Sequence, residues 1–240
     1  MQVIMMNYSG NVGKSTLCRH LLQPRMKGAD FYTVETVNAD DFSDEEVERL
    51  RGKQLGTIMP KLLGGGASAG KDVIVDVGSS NAEAFVQRFA SYAHAHEFID
   101  VFVIPTTSSP KQLTDTFFTI DTLANIGVPA EKIRLLLNNA DPELAAEDEY
   151  PKLFKYQRDK KNCVLNPAAR ITHNELFTMM NGTTITIPEL LACSIAEFKE
   201  KIKNTKDAKQ RAAIAQQLAA RLLAETAAAE LDAVFDALFQ

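Results

Sequence analysis

A chain of 240 residues fits one large α/β domain better than two independent ones, and 45% apolar residues suffice for a sizeable core. The net charge of −5 and pI near 5.5 exclude a surface coated in basic residues for nucleic acid, without excluding a local patch. Three widely spaced cysteines (Cys18, Cys163 and Cys193), with no CxxC pair, suggest neither a disulfide framework nor a zinc site and read as three reduced, buried thiols.

No apolar run reaches the roughly 18 residues of a membrane span. The opening MQVIMMN is too short for a signal peptide. A soluble cytoplasmic protein is therefore expected. Short continuous apolar runs at Val3–Met6, Phe31–Val34, Asp72–Val77, Ile99–Ile104 and Ile133–Leu137 predict strands buried on both faces. Helix-period segments at 14–22, 44–63, 80–95 and 109–126 lie between them, which is the pattern of βαβ units. Gly64–Gly70 reads as a flexible loop before the third run.

After Asn139 the pattern changes. Residues 141–150 are acidic, 152–161 are basic with interleaved aromatics, and Thr183–Ile187 is a candidate last strand ended by Pro188. Ser194–Phe239 reads as helical, with a weak point near Asn204–Thr205. Its alanine-rich end carries Ile214, Leu218, Leu222, Leu231, Val234 and Leu238 at helical spacing, a stripe for core packing or a partner helix. The expected organisation is a single domain over 1–240. Its core spans 1–140, a variable segment with the last strand spans 141–190, and C-terminal helices span 191–240.

The first predicted strand runs into Asn7-Tyr8-Ser9-Gly10-Asn11-Val12-Gly13-Lys14-Ser15-Thr16, which opens the first predicted helix. Backbone N–H groups of 10–16 and the helix N-terminus would hold phosphates, Lys14 would reach the β- and γ-phosphates, and Ser15 would place its hydroxyl on Mg²⁺. Gly10 and Gly13 suit positive φ or a close backbone approach, and Asn11 tolerates left-handed geometry. Micromolar binding needs about 8 kcal/mol, while a helix terminus contributes ~0.3–1 kcal/mol, so Lys14 and a metal must supply much of the rest. The strict G-x-x-x-x-G-K-[ST] pattern fails because Tyr8 stands at its first position. A second feature offsets this: Asp76 lies near the end of the apolar strand KDVIVDVG, where a buried carboxylate without a partner is costly and a Mg²⁺ shell would supply one.

On Asn7–Thr16 and Asp76–Gly78 the chain resembles the deviant-Walker ATPases of the ParA/MinD group. More narrowly it resembles the plasmid stability proteins called StbB, which share the SGNVGKST type of loop. The resemblance covers roughly the first 140 residues. It implies a P-loop NTPase-like, doubly wound, mostly parallel sheet with helices on both faces and a helical C-terminal region. It also implies binding of ATP or ADP with Mg²⁺, ATPase activity, a homodimer and a plasmid DNA-binding partner protein. The implied task is plasmid stability, partition or positioning, or conjugative transfer. Lys14 and Glu35 become the implied catalytic residues, Glu35 orienting water or touching the metal shell. A surface carboxylate is the equal alternative for Glu35. Ser9, Gly10, Asn11, Val12, Gly13, Lys14, Ser15 and Thr16 become the nucleotide contacts, and Ser15 and Asp76 the metal residues. Asn138 and Asn139, at the end of the fifth strand, are implied to read the adenine edge, with a turn-forming pair as the alternative.

Ser9 departs from the group, which carries there a signature lysine reaching across a dimer. Two readings stay open: a weak Mg-dependent ATPase, or an adaptor that binds ATP or ADP with little hydrolysis. A small-molecule kinase or ligase ranks lowest, for want of an acceptor motif. Asn38 follows Glu35, and Asp40, Asp41, Asp44, Glu45 and Glu46 suit a helix start. Lys152, Lys155, Arg158, Lys160 and Lys161, and then Lys199, Lys201, Lys203, Lys206, Lys209 and Arg211, are weak candidates for non-specific DNA contact beside the plainer reading of solvated faces. Phe154 and Tyr156 read as packed more readily than as base-stacking. His20, His94, His96 and His173 have no Cys/His company for a metal.

Overall fold

The computed structural model describes residues 1–35, 47–50, 55–64 and 70–240. Its seven strands are β1 (Gln2–Met6), β2 (Asp30–Val34), β3 (Val47–Leu50), β4 (Val73–Val77), β5 (Val101–Thr106), β6 (Ile133–Ala140) and β7 (Arg170–Thr172). They form one sheet in the order β3-β2-β4-β1-β5-β6-β7, and every pairing is parallel. The predicted strands 1, 2, 3, 4 and 5 appear here as β1, β2, β4, β5 and β6. Their continuous apolar runs follow from burial on both faces.

The helices are α1 (Lys14–Leu17, continued by a π-helical turn at Cys18–Leu22), α2 (Leu55–Leu63), α3 (Ala82–Ala90), α4 (Pro110–Asn125), α5 (Ala146–Glu149), α6 (Pro151–Lys160), α7 (Glu175–Met180), α8 (Ile187–Ala192), α9 (Ile195–Asn204) and α10 (Ala208–Phe239). Alternate side chains of β1 serve opposite faces of the sheet. Ile4 and Met6 join a core with Met59, Phe85, Ile120 and Leu153 of α2, α3, α4 and α6. Val3 and Met5 join a core with Leu17, Leu176, Leu190 and Leu231 of α1, α7, α8 and α10. The architecture is an α/β, P-loop NTPase-like, doubly wound sheet with helices on both faces and a helical C-terminal region. The chain steps from β4 across β1 to β5, so the carboxyl end of β1 is the topological switch point where ligands settle in such sheets.

Two expected elements are corrected. Residues 47–50, inside the predicted helix 44–63, pair with β2 as strand β3. Thr183–Ile187 is not a strand: Thr186 caps α8 in a capping box with Glu189, and Pro188 sits in the first helical turn, where its missing N–H costs nothing. The last strand is β7, whose three residues are too short for any periodicity to show. The segments 36–46, 51–54 and 65–69, which hold Asn38, the acidic run Asp40–Glu46 and most of the glycine loop, lie outside the described residues.

The weak point near Asn204–Thr205 is the break between α9 and α10, where the Asp207 carboxylate caps α10 by accepting from Gln210 N at 2.7 Å. Leu231, Val234 and Leu238 of the predicted stripe are buried, but Leu222 is exposed, and Ala220, Ala224 and Ala227 pack in its stead. At the C-terminal end of α10, Arg134 donates to the Leu238 carbonyl and Asn166 donates to that of Ala237 at 3.0 Å. Among the described residues, no helix is long and apolar enough to cross a membrane.

Candidate functional site

The loop after β1 is held from behind by a buried polar network. Asn7, fully buried, donates to the Pro105 carbonyl at 2.8 Å and to Thr116 Oγ1 at 2.9 Å, while its Oδ1 accepts from Ser9 N at 2.8 Å. Thr119 Oγ1 accepts from Tyr8 N at 3.1 Å and donates to Asn7 Oδ1 at 3.3 Å. The loop's path is therefore anchored to β5 and α4 by satisfied groups inside the molecule, where such bonds count most. Gln112 of α4 adds two bonds from Nε2 to the carbonyls of Gly10 and Asn11, both at 3.3 Å.

Asn11 and Gly13 adopt the left-handed conformation, with φ of 57° and 89°, and Gly10 does not. A Cβ on Gly13 would stand 2.4 Å from Asn138 Nδ2, so this position needs glycine both for its φ and for its neighbour. At Gly10 a Cβ would meet Ser79 Oγ at an ordinary 3.6 Å. Tyr8, at the failed first position of the motif, packs against Phe118 with the rings tilted by 57° and their centroids 5.0 Å apart.

Lys14 is buried and turns back over the loop, donating from Nζ to the Ser9 carbonyl at 2.7 Å. Burial lowers its pKa, against which the charges of Asp76 and Glu35 act. Asp76 faces the loop from β4, paired in register with Met5 of β1. It is 1% exposed, and its Oδ1 has no hydrogen-bond partner. Burial pushes its pKa up to about 6, opposed by a hydrogen bond from the Ser15 side chain and by Lys14, and aided by Glu35. Glu35, half-buried just beyond β2, lies beside Gly78: a Cβ there would meet Glu35 Cγ at 3.2 Å.

The sequence thus expects, and the fold assembles, Ser9–Thr16, Asp76 and Glu35 around one point. A Mg²⁺ ion fits the donor set on two observations: an orphaned carboxylate oxygen, and a hydroxyl bonded to the same carboxylate. No group of three or more His, Cys, Asp or Glu suited to a metal occurs among the described residues. A divalent ion here would therefore depend on ligand phosphates and water as well.

Asn138 donates from Nδ2 to the Val12 carbonyl at 2.9 Å, so its donor already braces the phosphate loop. Asn139 lies within β6, not in a turn; its φ of 56° falls where the β6–β7 register shifts, and its Oδ1 lies 2.8 Å from His173 Nδ1. Both line a cavity of about 320 Å³ between α1 and the ends of β6 and β7, together with Asn11, Gly13, Thr16 and Leu17 on one side. On the other side stand Thr172, His173, Asn174 and Phe177. Sequence reasoning missed this far wall, and Gln112 with it. The signal was the end of β7, since ligands gather beyond the carboxyl ends of parallel strands; Thr183–Ile187 drew that assignment away.

The basic residues of α6 and of the α9–α10 region are exposed, while Tyr156 stacks on Phe117 with centroids 4.5 Å apart, so the aromatic is packed. Cys18 and Cys163 are buried free thiols, and Cys193 is an exposed one.

No protein-family model and no curated relative matches this chain. Among solved structures, the ATP complex of an Asp-to-Ala variant of McdA from Cyanothece is similar at 12% identity and TM-score 0.51, covering 79% of this chain and 89% of that one. The apo form of McdA is similar at 11% identity and TM-score 0.51, covering 93% and 98%. A plasmid partition protein of Borrelia burgdorferi bound to AMPPNP gives 12% identity and TM-score 0.49, covering 91% and 97%. At such identities the likeness to McdA shows a shared fold.

Proposed function

We propose that this protein binds Mg-ATP at the carboxyl end of β1 and acts as a weak ParA/MinD-like ATPase, of the StbB type, in plasmid stability. Partition, positioning or conjugative transfer would be its setting. The observation that carries the reading is Asp76: a buried carboxylate with a partnerless oxygen, beside the Ser15 hydroxyl and the Lys14 ammonium, under a loop shaped by two left-handed residues. The McdA structure of the same fold holds ATP, which supports the choice of nucleotide.

In this reading the backbone amides of 10–16 bind phosphate oxygens, and Lys14 leaves the Ser9 carbonyl to meet the β- and γ-phosphates. Ser15 and Asp76 would hold Mg²⁺, which when bound neutralises charge on the phosphates. Glu35 orients the attacking water from the end of β2. Thr16 faces the α-phosphate, and the base enters the cavity between α1 and β7, where Asn138 and Asn139 stand. A homodimer and a plasmid DNA-binding protein are the proposed partners, and the whole chain would work as one domain in the cytoplasm.

A second reading, a nucleotide-gated adaptor that scarcely hydrolyses ATP, is favoured by Ser9. Its side chain carries no charge and is 3% exposed, so it extends nothing toward a partner. Single-turnover hydrolysis measured beside ATP affinity separates the two. Phosphate release on the turnover timescale supports the ATPase, and tight binding without release supports the adaptor. Absence of Mg-dependent ATP binding contradicts both.

A further inference from the structure

Strand β7 is the edge of the sheet, and in a parallel pair successive residues turn their N–H groups to opposite sides. His173 N points inward to the Ala140 carbonyl at 2.8 Å, so Thr172 N points to the open edge, where no strand pairs among the described residues. Glu230 of α10 takes the place of that strand. Its Oε1 accepts from Thr172 N at 2.8 Å and from Thr172 Oγ1 at 2.7 Å, a charge-assisted pair on a residue that lines the 320 Å³ cavity.

The same turn of α10 also holds the segment that follows α1. Arg25, just past the π-helical turn that follows α1, donates to the Ala228 carbonyl at 3.2 Å and to Asp232 Oδ1 at 2.9 Å. Residues 228–232 thus hold both Thr172 and the segment that follows the helix whose start lines the cavity.

We propose that Glu230 is a positioning residue for base recognition: from the C-terminal helix it sets the place of His173 and Asn174, and so which base the cavity accepts. The inference rests on reading that cavity as the base site. Hydrogen bonds weaken as their distance and angle leave the optimal range, so a wall released from Glu230 loses selectivity before it loses contact. The phosphate loop is anchored separately through Asn7, Thr116 and Thr119 and does not depend on Glu230.

The test is Mg-dependent binding of ATP, GTP and inorganic tripolyphosphate to the full chain, to Glu230→Ala and to Glu230→Gln. The wild type is expected to prefer one of the two purines. Glu230→Ala should lose about tenfold of that preference while tripolyphosphate affinity stays within about twofold. Glu230→Gln keeps the accepting oxygen and should keep the preference. An unchanged ATP-to-GTP ratio in Glu230→Ala overturns the proposal. So does an equal loss for all three ligands, which is the mark of a merely structural role, and so does a wild type without base preference. If Glu230→Ala fails to fold, Thr172→Val, which removes only the hydroxyl donor, should lower the ratio in the same direction, and an unchanged ratio there overturns the proposal. A wild type that binds none of the three ligands refutes the nucleotide reading itself, a distinct result.

Discussion

The two ends of the proposed nucleotide site differ in how much of each is one stretch of chain. The proposed phosphate end is nearly one stretch of chain, Asn7–Thr16, with Asp76 on the adjacent strand and Glu35 just beyond β2 facing it. The base end is assembled from Asn138 and Asn139, from Thr172–Phe177, and from Glu230, segments brought together only by the completed sheet and α10. The first is a continuous loop whose left-handed residues are braced from β5 and α4, whereas the second has no continuous stretch of its own. A change at the phosphate end should therefore act on affinity directly, and a change at the base end through the position of a wall.

Four substitutions sharpen that contrast. Lys14→Ala removes the one buried cation of the loop and should weaken Mg-ATP binding about 10- to 100-fold, measured calorimetrically, with little effect on which base is preferred. Asp76→Asn should abolish most of the Mg²⁺-dependent part of ATP-induced thermal stabilisation. It should also leave the ligand-free protein more stable above pH 6, because a buried carboxylate charge with one unpartnered oxygen is gone.

His20 lies on the π-helical turn below both ends. Burial, aided by Arg19, lowers its pKa from 6.5 to about 4, and its Nδ1 has no partner. Because the folded value lies below the unfolded one, its contribution to stability is complete above pH 6.5 and is lost as pH falls toward 4. The loss is roughly 2 kcal/mol by about pH 5. Urea titrations should show that slope flattened in His20→Leu. Gly13→Ala forces a left-handed alanine and drives Asn138 away from the Val12 carbonyl; about 1–2 kcal/mol of strain should lower Tm by about 5 °C.

The contrast also explains what was legible beforehand. The buried strands β1, β2, β4, β5 and β6 announce themselves as unbroken apolar runs, and the phosphate loop by glycine, lysine and hydroxyl at required spacing. Strand β3 was hidden inside an apparent helix, and β7 was too short to carry a period. Thr183–Ile187 is β-branched and apolar enough to pass for a strand, yet Thr186 and Glu189 form a capping box and start a helix. The far wall was hidden for the same reason: nothing local to His173 marks it, since its partners come from β6 and the residue before it is held from α10. Glu230 lies in an alanine-rich helix whose sequence shows only an amphipathic stripe.

The most direct test of the account is calorimetric titration of ATP into the intact protein, with Mg²⁺ and again with chelator. The account predicts saturable binding at one site per chain that weakens when the metal is withdrawn. No heat and no saturation in the presence of Mg²⁺ would contradict it.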